Sequence, residues 1–115
     1  MSLPAHLFKF TLFDTVALGV AKTDSSAINC EEVISYAVQF VWDNGSGLAG
    51  NIYLEGSNNG VNFTQITDSI LPISGTSGSH LINVEKPSYS FVRLSVDISA
   101  GSLTTGICQI NAKRE

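Results

Sequence analysis

The side chains best suited to proton transfer in this 115-residue chain are His6 and His80. Ser79, His80 and any of the five aspartates supply the residue types of a nucleophilic triad for acyl transfer. That chemistry usually presents its serine on a strained turn, and the chain has no Gly-x-Ser-x-Gly nucleophile elbow. Both histidines therefore read as surface residues. Glu31 and Glu32 are adjacent, so along a strand their carboxylates point to opposite faces and cannot work as an acid/base pair. Asp43-Asn-Gly-Ser-Gly47 begins like a calcium loop in its oxygen ligands, but the position of the closing glutamate is occupied by Leu54. It reads instead as a polar connection between strands. Neither the phosphate-cradling Gly-x-x-x-x-Gly-Lys-Ser/Thr nor a dinucleotide fingerprint occurs. The residues thus assign no catalytic group, no metal ligand and no cofactor, and the expectation is a protein that is not an enzyme.

Cys30 and Cys108 lie far apart and match no metal-ligand spacing. They are either partners in a disulfide closing a long loop or buried free thiols, with free thiols preferred because nothing marks an oxidising compartment. Asn62-Phe63-Thr64 is a formal glycosylation sequon, set aside for the same reason. Tyr53, Phe63, Tyr89 and Phe91 are the aromatic candidates for surface contact, either a sugar-stacking platform or subunit packing. Arg93 joins them, because it alternates with Val92 and Leu94 and so falls on the outer face of its strand. A surface ion pair is its simplest role, and a subunit or sugar contact the functional one.

Charge narrows the partners. Charged residues are 14% of the chain, against roughly 25% in an ordinary soluble domain, and Ser, Thr, Asn and Gly take up the polar positions. The net charge is −4 and the six basic residues are scattered, with Lys113-Arg114 the only adjacent pair. Binding a phosphate backbone needs clustered cations, so nucleic acid is not an expected partner. No apolar run reaches membrane-span length, and Leu7-Phe-Lys-Phe-Thr-Leu-Phe13 alternates as a strand rather than as a signal peptide. Neither a membrane nor a secretion address is expected.

Strands must position these groups. Gly50 to Ile66 reads as a hairpin, with Ile52 and Leu54 on one face, Asn51, Tyr53 and Glu55 on the other, and a tip at Ser57-Asn-Asn-Gly60. Alternation predicts strands at 6–13, 16–21, 33–42, 50–57, 62–68, 80–84, 90–98 and 106–112. Tyr36, Val38, Phe40 and Trp42 form one core row, and Val92, Leu94, Val96 and Ile98 the other. A helix competes only at Cys30 to Trp42, where β-branched and aromatic alternation argues against it. Pro72 is expected to end the central strands, with Ser74 to Ser79 as a flexible loop. The fold expectation is all-β: one antiparallel β-sandwich domain over residues 1–115, jelly-roll-like, with seven or eight strands.

The order of residues adds a resemblance. Asp24-Ser-Ser, Tyr36-x-x-Gln39-x-x-Trp42, Gly50-x-Ile-x-Leu54-x-Gly-Ser-Asn-Asn-Gly60-x-x-Phe63-x-x-Ile66, Tyr89-x-x-Val-Arg-Leu94, Gly101 and Gly106 follow in turn. This arrangement resembles small β-sandwich virion proteins of tailed bacteriophages and prophages. The resemblance implies a structural or decoration component of the virion, assembled in the bacterial cytoplasm. Its implied partners are other virion proteins and further copies of itself, and virion symmetry favours a trimer. Ser57-Asn-Asn-Gly-Val-Asn-Phe63 and Phe91-Val-Arg-Leu94 are also similar to discoidin-like carbohydrate-binding jelly rolls. That similarity implies the alternative of a glycan-binding module for host or polysaccharide attachment, although Phe63 stands where Trp is commoner and no ligand-loop set is recognisable.

Overall fold

Alternating apolar and polar residues, rich in β-branched and aromatic types, carry most of the chain into strands. The computed structural model describes residues 6–114. In chain order the strands are β1 (His6–Leu18), β2 (Ala21–Asp24), β3 (Ile28–Asn29), β4 (Val33–Asp43), β5 (Ser46–Ser57), β6 (Thr64–Gln65), β7 (Leu71–Ser74), β8 (Gly78–Glu85) and β9 (Phe91–Arg114). All are antiparallel to their neighbours.

The registers show how they combine. β9 pairs with β5 along its first half and with β4 along its second, and the register runs through the β4–β5 connection: Asp43 faces Thr105, and Ser46 faces Ser102. On its other side β9 meets β3 and β2, then β1. β7 and β8 extend the same pattern along β5 and β4, while β6 also pairs with β5. The sheet is therefore a set of long antiparallel ribbons folded across a common crease. One half is the layer β1-β9-β4-β8, and the other contains β2 and β3, then β9, β5, and β6 with β7. The two layers face each other as a sandwich.

Backbone close approach makes the crease. Gly101 has φ +72°, and a Cβ there would lie 2.3 Å from the carbonyl oxygens of Ser46 and Gly47. At Gly45 a Cβ would lie 2.2 Å from the Gly75 carbonyl oxygen. Only glycine fits where the ribbons cross this closely.

Both expected core rows are inside. Tyr36, Val38, Phe40 and Trp42 are buried on β4, as are Val92, Leu94, Val96 and Ile98 on β9. Ile52, Leu54, Leu103, Cys108 and Ile110 complete the centre. Burying each large apolar side chain contributes about 1.5–3 kcal/mol, so the two layers are held mainly by this interior.

The structure corrects several boundaries, and among the described residues there are nine strands rather than seven or eight. The segments expected at 90–98 and 106–112 are one continuous strand, because Ser99-Ala-Gly-Ser102 bends the chain without reversing it. The strand expected at 16–21 is divided: Val16 to Leu18 finish β1, and β2 starts at Ala21. Of the strand expected at 62–68 only Thr64–Gln65 pairs. Pro72 does not end strand structure; it lies inside β7, which among the described strands pairs only with β5, so its missing N–H can face away from the ladder. Ser74 to Ser79 is not a long flexible loop, since β7 includes Ser74 and β8 starts at Gly78, which runs so close under Trp42 that a Cβ would lie 2.4 Å from the indole.

Candidate functional site

Four charged side chains converge in one place, the outer face of the layer containing β2, β9 and β5. Alternation puts Lys22 and Asp24 of β2, Arg93 and Ser95 of β9, and Glu55 of β5 on that face. Register brings them together, with Asp24 opposite Ser95 and Glu55 opposite Arg93. Arg93 Nε donates to Glu55 Oε1 at 2.8 Å, and its Nη2 lies 3.3 Å from Asp24 Oδ2. Lys22 Nζ sits 2.9 Å from Asp24 Oδ1 and 3.3 Å from Glu55 Oε2. The buried Ser95 hydroxyl is within reach of both carboxylates, 2.7 Å from Asp24 Oδ1 and 2.9 Å from Glu55 Oε1.

Glu55 is only 7% exposed, an unusual position for a carboxylate on an outer sheet face. Burial alone pushes its pKa upward, but hydrogen bonds from Arg93, Ser95 and Lys22 outweigh it and hold the carboxyl below its ordinary value. Asp24 follows the same balance: burial raises it, and Lys22, Ser95 and Arg93 bring it below the ordinary value. Hydrogen bonding to Asp24 raises Lys22, with Glu55 adding to the effect against the cost of burial. These shifts favour the charged forms of Asp24, Glu55 and Lys22, so the network sets two carboxylates against Lys22 and the Arg93 guanidinium. Such a balanced network orders a surface; it offers no group poised to exchange a proton near neutrality.

The five expected contact residues are all half-buried. Arg93 lies over the Phe63 ring with its guanidinium carbon 4.0 Å from the centroid, so one aromatic candidate is already engaged in a cation–π contact. Tyr53 shares the outer face with Glu55 and Arg93. Tyr89 is different: its ring lies against Gly56, its hydroxyl is hydrogen-bonded to that of Tyr36, and it packs on the core. Phe91 packs against Gly60 at the hairpin tip. The sequence reading found Arg93 but passed over Lys22, Asp24, Glu55 and Ser95. Their signal was charged and hydroxyl residues on the polar face of strands, and only the pairing register makes them neighbours.

The groups considered for chemistry are dispersed. His80 Nε2 donates to the Pro72 carbonyl at 2.6 Å, bridging β8 to β7, while its ring sits 5.5 Å from that of Trp42. The His6 side chain lies outside the described residues. Glu31 and Glu32 are not in a strand; they occupy the turn between β3 and β4, where both are exposed. Asp43 to Gly47 spans the junction of β4 and β5 at the crease, tied by Gly45 N–H to the Thr76 carbonyl at 2.8 Å. Cys30 and Cys108 are free and buried, and burial pushes their thiols up to about 11 and about 12. Among the described residues no three His, Cys, Asp or Glu side chains group to hold a metal ion.

Among the described residues β1 pairs with β9 alone. Its regular stretch pairs from His6 through Thr11, and bulges follow from there to Leu18. Leu7 is 66% exposed on this edge strand, with Phe8 and Phe10 at 39% and 36%.

No family model and no curated protein matches the chain. Solved structures share its fold. The SPBc2 prophage-derived protein YomS aligns with a TM-score of 0.64 at 12% identity, covering 98% of this chain and 97% of that one. A chain from the structure of infectious bursal disease virus Gx strain aligns at 0.63 and 13% identity; 96% of this chain spans 32% of the viral one. A chain from Bacillus endospore appendages, described as disulfide-linked pili, aligns at 0.53 and 16% identity, covering 96% and 90%.

Proposed function

We propose that this chain is a structural protein of a phage or viral particle, acting through subunit and surface contacts rather than through a reaction. The observation that carries this reading is the end-to-end alignment with a prophage-derived protein of nearly the same extent. A shared sandwich with a chain of a virus particle supports it. The virion is the proposed location, with assembly in the bacterial cytoplasm, and the partners are other particle proteins and further copies of this chain. The edge of β1 supports self-association, because a regular strand edge flanked by exposed Leu7 and Phe10 is a template for another strand. Tyr53, Phe63 and Arg93 form a second proposed contact surface, already ordered by the ion network. A closed ring, with a trimer as the expected count, would bury both surfaces.

The test is whether the protein travels with particles. Particles from an induced culture of the strain carrying the gene are banded on a density gradient, and an antibody to the recombinant protein is used to probe the fractions. Signal in the particle band supports the role, whereas protein confined to the soluble top of the gradient overturns it. Light scattering on the purified protein adds the copy number, and a monomer at high concentration removes the self-association part.

A further inference from the structure

We propose that the cleft between the β5–β6 connection and Tyr89 is a binding site for a neutral saccharide unit. It is an open, shallow depression of about 320 Å³ bordered by Gly56, Ser57, Asn58, Asn62, Thr64, Ile66 and Tyr89. An opening of this size accommodates about one sugar ring lying against its surface, with the rest of the saccharide in solvent.

The lining contains no charged side chain. A phosphate, carboxylate or ammonium group entering it would lose water without gaining an opposite charge. Two other depressions contrast with it: one is edged by Lys113 and Glu85, and the other is lined by Glu31, Glu32 and Arg114. The cleft beside Tyr89 instead combines an aromatic ring and Ile66 with two primary amides and a hydroxyl. A pyranose presents the matching surface, with C–H groups for the apolar wall and a rim of hydroxyls. Each hydroxyl both donates and accepts, and so does each asparagine amide.

The walls are held before any ligand arrives. Asn59 Oδ1 accepts from the backbone N–H groups of Val61 and Asn62, each at 2.9 Å. Ser57 Oγ accepts from Gly60 N–H at 3.0 Å and donates to Asn59 Oδ1 at 3.0 Å. Tyr89 rests on Gly56, where a Cβ would lie 3.1 Å from the ring, and is fixed at its far end by Tyr36. Asn58 Oδ1 accepts from Ser90 N–H at 3.3 Å, which orients the side chain, and its NH2 has no hydrogen-bond partner among the described residues. The side chains of Asn62 and Thr64 have no hydrogen-bond partner among the described residues and are exposed. A rigid loop that keeps its polar groups available avoids the ordering cost that weakens sugar binding.

This site stands apart from the particle role, so failure of either leaves the other intact. The test is a glycan array followed by amide-resolved NMR titration with maltose, cellobiose, lactose and diacetylchitobiose, and with sialyllactose as the charged comparison. At least one neutral saccharide is expected to shift the amide signals of Gly56, Asn58, Asn62 and Tyr89, with affinity about millimolar. The double variant Asn62→Ala, Thr64→Ala weakens that affinity at least tenfold while leaving the urea midpoint unchanged, since both side chains are exposed. The inference is overturned if no neutral glycan binds, if the shifts fall elsewhere on the surface, or if the double variant binds as the parent does.

Discussion

Glu55→Gln isolates the charge at the centre of the outer-face network. Glutamine preserves the shape and can still accept from Arg93 Nε, which now lies 2.8 Å from the Glu55 oxygen, and from the Ser95 hydroxyl at 2.9 Å. What disappears is the negative charge facing two cations. Hydrogen bonds to charged groups contribute about 1.5–3 kcal/mol against about 0.5–1.5 for neutral ones, so neutralising the Arg93 bond costs about 1 kcal/mol or slightly more. The Lys22 pair adds only a fraction, because that side chain is 39% exposed and solvent screens it. The larger penalty of about 3–5 kcal/mol for stranding a buried ion is an upper bound not reached, since Arg93 at 24% side-chain exposure can recover water. The expected loss is about 2 kcal/mol, or about 8 °C in Tm for a chain of this size.

The assay is urea unfolding followed by the fluorescence of Trp42, the sole tryptophan, which is buried in the core. The pH series carries the sign. The folded carboxyl of Glu55 lies below its ordinary 4.5, so its contribution is fully present above 4.5 and is lost as pH falls through the lower folded value. The gap between parent and Glu55→Gln should therefore be constant from pH 7 to about pH 5 and shrink towards about pH 3. A gap under about 0.5 kcal/mol at neutral pH would refute the charge argument, because that is the scatter of an ordinary surface substitution. A gap that persists unchanged at low pH would refute it too, by showing that packing rather than ionisation is responsible.

Gly101→Ala combines a positive φ with a Cβ 2.3 Å from two carbonyl oxygens; it is expected to cost more than about 2 kcal/mol and to appear as insoluble or urea-sensitive protein. Ile110→Val removes one methylene from a fully buried site and should cost about 1 kcal/mol, whereas Leu81→Ala, at a position 57% exposed, should change the urea midpoint by less than about 0.5 kcal/mol. Native protein should show no reaction with Ellman's reagent at neutral pH, and two thiols should appear in denaturant, because both cysteines are buried and their pKa values are raised.

The layers of the fold were legible where side chains alternate without interruption. Tyr36 to Trp42 and Val92 to Ile98 identify their own inner faces, since a one-residue slip would turn every apolar group outward. The crease was not legible. Ser99-Ala-Gly-Ser102 and Asp43-Asn-Gly-Ser-Gly47 have the composition of reversals, and composition does not distinguish a bend that keeps register from a turn that ends a strand. Pro72 misled for a related reason, because its tolerance depends on whether its strand has a partner on that side. The ion network was half legible: alternation put Arg93 outside, but its partners lie 38 and 69 positions away and meet it only through strand pairing. The cleft beside Tyr89 needed the hairpin tip, which was read correctly at Ser57 to Gly60, together with a return of the chain that no local pattern encodes.

The position of β9 decides when this protein can fold. It follows every other described strand in the chain, yet it is the partner of β1, β2, β3, β4 and β5. Until Phe91 to Arg114 has emerged, β1, β2 and β3 have no ladder to join, and β4 and β5 are paired on one side only. The nascent chain therefore waits, with its apolar rows uncovered, until β9 has been made, and these ladders are then completed together. Such non-local closure makes folding slow and aggregation-prone, so a defect in this one strand falls on both layers at once.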